Sequence, residues 1–439
     1  MVLKEILKTL IEKIRKDSLY RNSFYIMLST VIMTGFGFFF WTINARLFSS
    51  EQIGLATTII SAMSLLTSLA GLGMGTALVR FLPTAEDKNK KINTCLTVNF
   101  FISIIVSTIF LQGILIFSPK LSFIQKNLYF AIAFIAIVAF QGLFSMLDSV
   151  FTAYRKNEFT VIKNSVFSML KLAFPFIFIG LGAFGIFAAW GASSIIAFIV
   201  GIILLAFNKK YVFRYVIYDD ILKKIGSYSF ANYISGFVSA VPALIMPMMI
   251  TNLLDPEYTA YYYVAMMIAG LLFTIPSSIA SSLFAEGSSH EKDLNSILRR
   301  SFRLIYMLLL PGVIVMLVLG RYILLFFGHE YTAGASLLGI LALSSIVIAI
   351  KSVYFTVLNI KKRVAKIILI NLLISSMTIG MSYFSITHGY GLEGIGYSWL
   401  ISNAMIIPFA FWMIWRNVVT MIIPETKGKS KAGKKKKRK

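Results

Sequence analysis

GAFGIFAAW at residues 182–190 and GLEGIGYSW at residues 391–399 are one corner written twice. Gly182, Gly185, Ile186 and Trp190 recur as Gly391, Gly394, Ile395 and Trp399, a shift of 209. Two weaker echoes precede this match in each half. LFSSE (47–51) returns as LLDPE (253–257) at a shift of 206, and DSVFT (148–152) resembles KSVYFT (351–356). Loop insertions account for a shift that drifts by a few residues between blocks. A period of this length predicts two structural halves, about 20–207 and 221–417, rather than a short-repeat solenoid.

Composition says what those halves are made of. The chain has 439 residues, 58% hydrophobic and 14% charged. Soluble domains sit near half apolar and a quarter charged, so these halves are bundles in lipid. A spanning helix needs ~20 mostly apolar residues. Twelve such stretches lie near 23–45, 54–79, 94–118, 128–150, 160–181, 184–207, 226–251, 259–284, 303–325, 333–357, 365–386 and 393–415. Six spans per half is an even number. Both halves therefore share one orientation, as a parallel repeat about an axis along the membrane normal.

The expected organisation is a basic cytoplasmic segment (1–22), a first lobe (23–207), a linker (208–225), a second lobe (226–417) and a basic tail (418–439). The N-terminal segment reads as an interfacial amphipathic helix rather than a cleavable signal, because the apolar stretch after it is too long for a signal core. The net charge is +24, and its placement argues against nucleic acid. With the N-terminus inside, the inner segments hold 36 Lys and Arg and the outer loops hold four. That asymmetry predicts a multi-pass protein of a cytoplasmic-type cell membrane with both termini cytoplasmic. The tail KGKSKAGKKKKRK suits an anionic inner leaflet.

Few residues offer chemistry. There is one cysteine, Cys95, and the three histidines (His290, His329, His388) are scattered, so no metal site and no cofactor is expected. No phosphate loop, HExxH or carboxylate cluster is present, which argues against an enzyme. Ionisable groups inside spans are functional candidates, since a charge at mid-bilayer costs ~2.5–3.5 kcal/mol on insertion scales. Lys171 lies deep in the fifth helix and is the first candidate for an anionic substrate. Arg46 and Arg80, at the ends of the first two helices, are candidate headgroup ligands, with plain interfacial anchoring as the alternative. Asp148 and Lys351 read as equivalent positions of the two repeats, and their opposite charges could form a gate or ion pair across the central gap. Cations outnumber acids at these positions, so the pathway suits an anion, and phosphate in particular. Gly35, Gly37, Gly71, Gly73 and Gly75, with Pro242, Pro247 and Pro276, place helix breakers in spans one, two, seven and eight.

On INARLFSSEQIGLAT (43–57), GLGMGTALVRFLP (71–83) and the GxxGI corners at 182 and 391, the chain resembles the multidrug/oligosaccharidyl-lipid/polysaccharide exporter superfamily, and within it the polysaccharide (Wzx-type) flippases. The resemblance is clearest over 20–85. It implies an all-α integral membrane fold, two pseudo-symmetric six-helix lobes forming a V-shaped central cavity. It also implies alternating-access flipping of polyprenyl-diphosphate-linked oligosaccharide from the inner to the outer leaflet. Membrane lipids, a glycan polymerase or a glycosyltransferase are the implied partners, and a monomer the expected state. The alternatives are a cation-coupled multidrug exporter of the same superfamily, against which the shortage of embedded acids argues, and a membrane enzyme of glycan assembly.

Overall fold

Long apolar stretches with short connections leave the backbone one economical solution in lipid, the α-helix, which satisfies its own hydrogen bonds. The computed structural model describes residues 18–209, 211–214, 216–289 and 294–409, and every regular element among them is helical. The long helices are α1 (Ser18–Leu47), α2 (Ser50–Gly71), α3 (Met74–Phe81), α4 (Lys88–Gln112), α5 (Leu128–Ala153), α6 (Asn157–Ile177) and α7 (Ala183–Lys209). They continue as α8 (Asp219–Leu253), α9 (Pro256–Ser289), α10 (Leu294–Leu325), α11 (Ala335–Ile360), α12 (Val364–Thr387) and α13 (Gly391–Ala404). Eleven spans among the described residues are long and apolar enough to cross a membrane. The twelfth expected span, 393–415, begins with α13 and continues past the described residues. The basic stretch 1–17, the tail 418–439 and His290 also lie outside them. The chain is an all-helical multi-pass membrane protein.

The second spanning segment is broken. α2 stops at Gly71, Leu72 and Gly73 take φ of 42° and 75°, and α3 restarts at Met74. By contrast, α1 runs unbroken through Gly35 and Gly37.

Packing repeats between the halves. α1 lies on α6, α6 on α7, α7 on α5, and α5 on α4, with α2 against α4 and α5. In the second half α8 lies on α12, α12 on α13, α13 on α11, and α11 on α10, with α9 against α10 and α11. Turns repeat as well. Lys156 N donates to Phe151 O and Arg155 N to Thr152 O. Arg363 N donates to Leu358 O and Lys362 N to Asn359 O, with Arg155 and Lys362 both at positive φ. These are two copies of one helix C-cap at a shift of 207. The glycine corner repeats at 209, with Gly182 at φ 56° and Gly391 at φ 55°.

The C-cap register corrects one sequence alignment. A shift of 207 places Phe355, not Lys351, at the position of Asp148. Lys351 lies one turn deeper, nine residues before the end of its helix, whereas Asp148 is five residues from its own.

The halves meet mainly through α2, which packs on α8 and α9. The connection at 47–50 defines what we call the distal end of the bundle; α1 begins at the proximal end. Gly54 of α2 presses on the carbonyl of Pro256, with no room for a Cβ. One turn on, Thr58 Oγ1 lies 2.5 Å from Thr251 Oγ1, which lies 2.7 Å from Thr259 Oγ1, all three fully buried. Trp41 packs on Tyr263, and Phe38 on Phe327. Asn252 Nδ2 donates to Phe117 O at 3.0 Å. Small residues and shared hydroxyls are how helices associate closely in lipid, and here they close the distal end.

Candidate functional site

Helix α6 carries polar residues at 157, 160, 163, 164, 168 and 171, the 3–4 spacing of one helical face. All are buried. The face turns inward, onto α1. Asn157 donates its backbone N and its Nδ2 to Asn22 Oδ1 at 3.3 and 3.2 Å. Asn164 Nδ2 donates to Ser29 Oγ at 2.9 Å, and Ser168 Oγ to Met33 Sδ at 3.5 Å. Each pair differs by 135 in number, as two parallel helices in fixed register require.

Two cations ride on this face. Lys171 is 2% exposed, and its ammonium stands 4.6 Å from the centre of the Trp190 ring, 5.0 Å from Phe167 and 5.1 Å from Phe40. Three rings from α1, α6 and α7 thus form a cation–π box. The residue lies six positions from the distal end of α6, about 9 Å at 1.5 Å per residue. Lys163 is fully buried near the proximal end. It reaches Asp148 Oδ1 at 3.0 Å, donates to Phe144 O at 2.9 Å and lies 3.3 Å from the centre of the Phe144 ring. Lys163, near the start of the 160–181 span, is not among the sequence candidates. The polar stripe on an otherwise apolar helix was the signal that could have placed it.

The five sequence candidates do not converge. Arg46 is exposed in the last turn of α1 at the distal end, and Arg80 is exposed in the last turn of α3. Asp148 and Lys351 do not form a pair in this state. Asp148 is held by Lys163 within the first half, and Lys351 Nζ donates to Asn403 Oδ1 at 2.6 Å within the second. The physical reason is reach: each charge satisfies itself on the helix beside it, inside its own lobe.

Hydroxyls gather on an exposed face of α9 and around a cleft of the first half. On α9, Thr274, Ser277, Ser278, Ser281 and Ser282 are exposed, each hydroxyl donating to a carbonyl of its own helix. A cleft of about 280 Å³ opens in the first half between α2, α3, α4 and α5, walled by Ser64, Thr67, Ser68, Asn99, Ser145 and Ser149. Tyr233 of α8 reaches its rim and donates to Ser68 O at 3.1 Å. Pro242 cannot donate to the carbonyl four residues back, Val238 O, and Ser375 Oγ of α12 supplies the missing bond at 2.7 Å.

The caged lysine has no twin. At the repeat shift, Lys171, Lys163 and Phe167 correspond to Thr378, Ile370 and Ile374, while Trp190 keeps its counterpart Trp399. Symmetric scaffold and asymmetric charge are separate layers of this protein.

Comparison with known proteins agrees with this architecture. Residues 19–285 match the family model described as polysaccharide biosynthesis protein. Among solved structures, the chain is similar to the lipid II flippase MurJ in an inward closed conformation. The TM-score is 0.75 at 15% identity, covering 89% of this chain and 87% of that one. It is also similar to an inward-facing multidrug resistance MATE family transporter of the MOP superfamily, with a TM-score of 0.69 at 13% identity, covering 93% and 100%. An outward-facing MATE transporter gives 0.58 at 15% identity, covering 94% and 99%. At these identities the likeness is one of fold. No curated protein sequence matches the chain significantly.

Proposed function

Because this chain belongs to the family of polysaccharide biosynthesis proteins, we propose that it carries a polyprenyl-diphosphate-linked oligosaccharide from the inner to the outer leaflet by alternating access. The family match over 19–285 carries this reading. The excess of Lys and Arg at the proximal side supports a cytoplasmic proximal end, so the distal contacts are the outer gate. The hydroxyl-rich faces of α2, α5 and α9 suit sugars, which offer donors and acceptors in equal measure. The lipid tail stays in the bilayer while the glycan crosses between the halves. Lys171, held off solvent by its aromatic box, supplies fixed positive charge to the pathway, and Arg80 meets the diphosphate as it enters. Arg46 meets it on leaving, and Lys351 and Asp148 change partners as the lobes rock. The protein works as a monomer beside a glycan polymerase or glycosyltransferase.

The second reading is a cation-coupled drug exporter, favoured by the near-complete fold coverage of the MATE transporter. Proteoliposomes carrying a fluorescent polyprenyl-diphosphate oligosaccharide decide between them. We expect outward appearance of the glycan with wild type, and loss with Lys171→Ala at equal reconstitution. Efflux of an organic cation with no glycan movement would establish the exporter instead. Unchanged flipping in the variant would keep the function and remove Lys171 from the pathway.

A further inference from the structure

The cleft of the first half sits where the second spanning helix is broken. Ser64 and Gly71 lie about 21 and 32 Å along α2 from its distal start, which puts the cleft in the proximal part of the bundle. Irregular backbone at membrane depth is tolerated where it lines a cavity. The break supplies one here, because Gly71 and Gly75, on either side of it, both line the cleft.

The polar groups around this space fall into two sets. One set accepts. Ser64 Oγ donates its hydrogen to Ile60 O at 2.8 Å and Thr67 Oγ1 to Met63 O at 2.9 Å, so both turn their lone pairs outward. Asn99 is 1% exposed, and its Oδ1 is buried with no hydrogen-bond partner. The other set donates. α3 is preceded by Gly73, which has no side chain to cap the first-turn N–H groups, and the first bond of the helix is Ala77 N to Gly73 O. The amide of Gly75, which lines the cleft, precedes it and has no carbonyl one turn back within the helix.

A bare cation would use only the first set, and an anion only the second. The wall also carries no net charge: none of the lining residues is ionised, and Asp148, one position from Ser149, is neutralised by Lys163 at 3.0 Å. An ion leaving water needs an opposite charge to compensate desolvation. A sugar hydroxyl needs none, and it donates and accepts at once. The volume is at the low end of small-ligand pockets, which begin at about 300 Å³, and suits one or two sugar rings.

We propose that the cleft between α2, α3, α4 and α5 is a saccharide subsite that takes hydroxyls of the glycan by neutral hydrogen bonds. It is separate from the cations that would serve the diphosphate. The subsite rests on the reading that the cargo is a glycan. Its position also gives it a readout. Ser68 lines the cleft while its carbonyl accepts from Tyr233 of the other half, so an occupied cleft bears directly on the seam between lobes.

The test is saturation-transfer NMR on the full chain in lipid nanodiscs, with a panel of methyl hexosides and N-acetylhexosaminides as probes. Wild type is expected to transfer saturation to at least one of them. Asn99→Leu removes the orphan acceptor. Ser145→Leu fills the space from an exposed position that the core does not use. Each should reduce the transfer about tenfold, the effect of unpairing a buried hydrogen-bonding group. Retention of the wild-type signal in Ser145→Leu overturns the subsite. So does absence of transfer from every probe, or displacement of the glycoside by inorganic diphosphate or sodium ion. If wild type binds the glycoside here and yet flips no lipid-linked glycan, the transport reading fails and the subsite stands. If it flips the glycan and neither substitution changes the transfer, the subsite fails alone.

Discussion

Closure of the distal end depends on a missing methyl group. Gly54 is the point where α2 touches the Pro256 carbonyl, and a Cβ there would overlap backbone, which has no rotamer to escape into. Gly54→Ala therefore forces α2 away from the start of α9. Overpacking of a close contact costs about 1–3 kcal/mol. The displacement also pulls Thr58 from Thr251 and from Pro247 O, a further loss of about 1 kcal/mol. The sum, about 2–4 kcal/mol, acts only on the closed distal state, because the contact does not exist when the lobes part there. At tenfold per 1.4 kcal/mol the open fraction rises by about 30- to 1000-fold. A buried reporter measures this directly. With Cys95→Ala removing the native thiol, Ala260→Cys places a thiol at a fully buried position beside Thr259. Its reaction with a membrane-impermeant maleimide requires the distal end to open, so the rate scales with the open fraction. Gly54→Ala should accelerate labelling within that range at unchanged thermal stability of the separate lobes. A rate within threefold of the parent would refute the assignment of Gly54 and the threonine cluster as the distal gate.

Three further outcomes follow from other contacts. Asp148→Leu leaves the fully buried Lys163 without its carboxylate, and thermal unfolding in detergent should show a loss toward the lower part of the ~3–5 kcal/mol range for broken buried pairs, since Asp148 is itself part-exposed; Asp148→Leu with Lys163→Met should recover most of it. Asp87 accepts from Lys90 N at 2.9 Å at the start of α4, and this hydrogen bond holds its carboxyl below the ordinary value. A lowered carboxyl stabilises above its unfolded pKa of about 3.9 and loses that contribution as pH falls through the folded value. Exchange of the Lys88–Lys91 amides, corrected for intrinsic rates, should thus be level from pH 5 to 8 and rise in acid, and Asp87→Asn should abolish the step. Asn93 fastens the connection between the halves: Tyr211 donates its hydroxyl to Asn93 Oδ1, Arg214 N donates to the same oxygen at 3.2 Å, and Asn93 Nδ2 donates to Val212 O at 2.9 Å. Burial raises the Tyr211 phenol, so it keeps donating through mildly alkaline pH. Asn93→Leu removes three bonds of about 1 kcal/mol each, and tryptic cleavage at Lys209 or Arg214 should accelerate by more than tenfold.

Sequence alone determined the layers of this protein that repeat or that follow from lipid. Apolar runs of spanning length have no alternative to the helix, so the spans were legible as elements, with ends that differ from the helices, as 94–118 does from Lys88–Gln112. The paired GxxGI corners were legible because each needs a left-handed glycine, at 182 and again at 391, that no other residue supplies as cheaply. The break in the second span was legible in GLGMG for the same reason. Tertiary structure decided which polar residues meet. Lys171 was visible as a cation in a span, but its box of Phe40, Phe167 and Trp190 draws one ring from each of three helices. Lys163 was invisible in a tally of flanking charges, because a lysine seven residues into a helix counts as interfacial until its neighbours are known to seal it from lipid and water. Asp148 and Lys351 looked like partners in the linear repeat, and a single turn of register separates them. The reason is common to all three. Hydropathy and glycine geometry act within a segment, where sequence order is spatial order. A charge in a membrane is governed by the nearest group that can stabilise it, and that group is chosen by how helices distant in sequence rotate and dock.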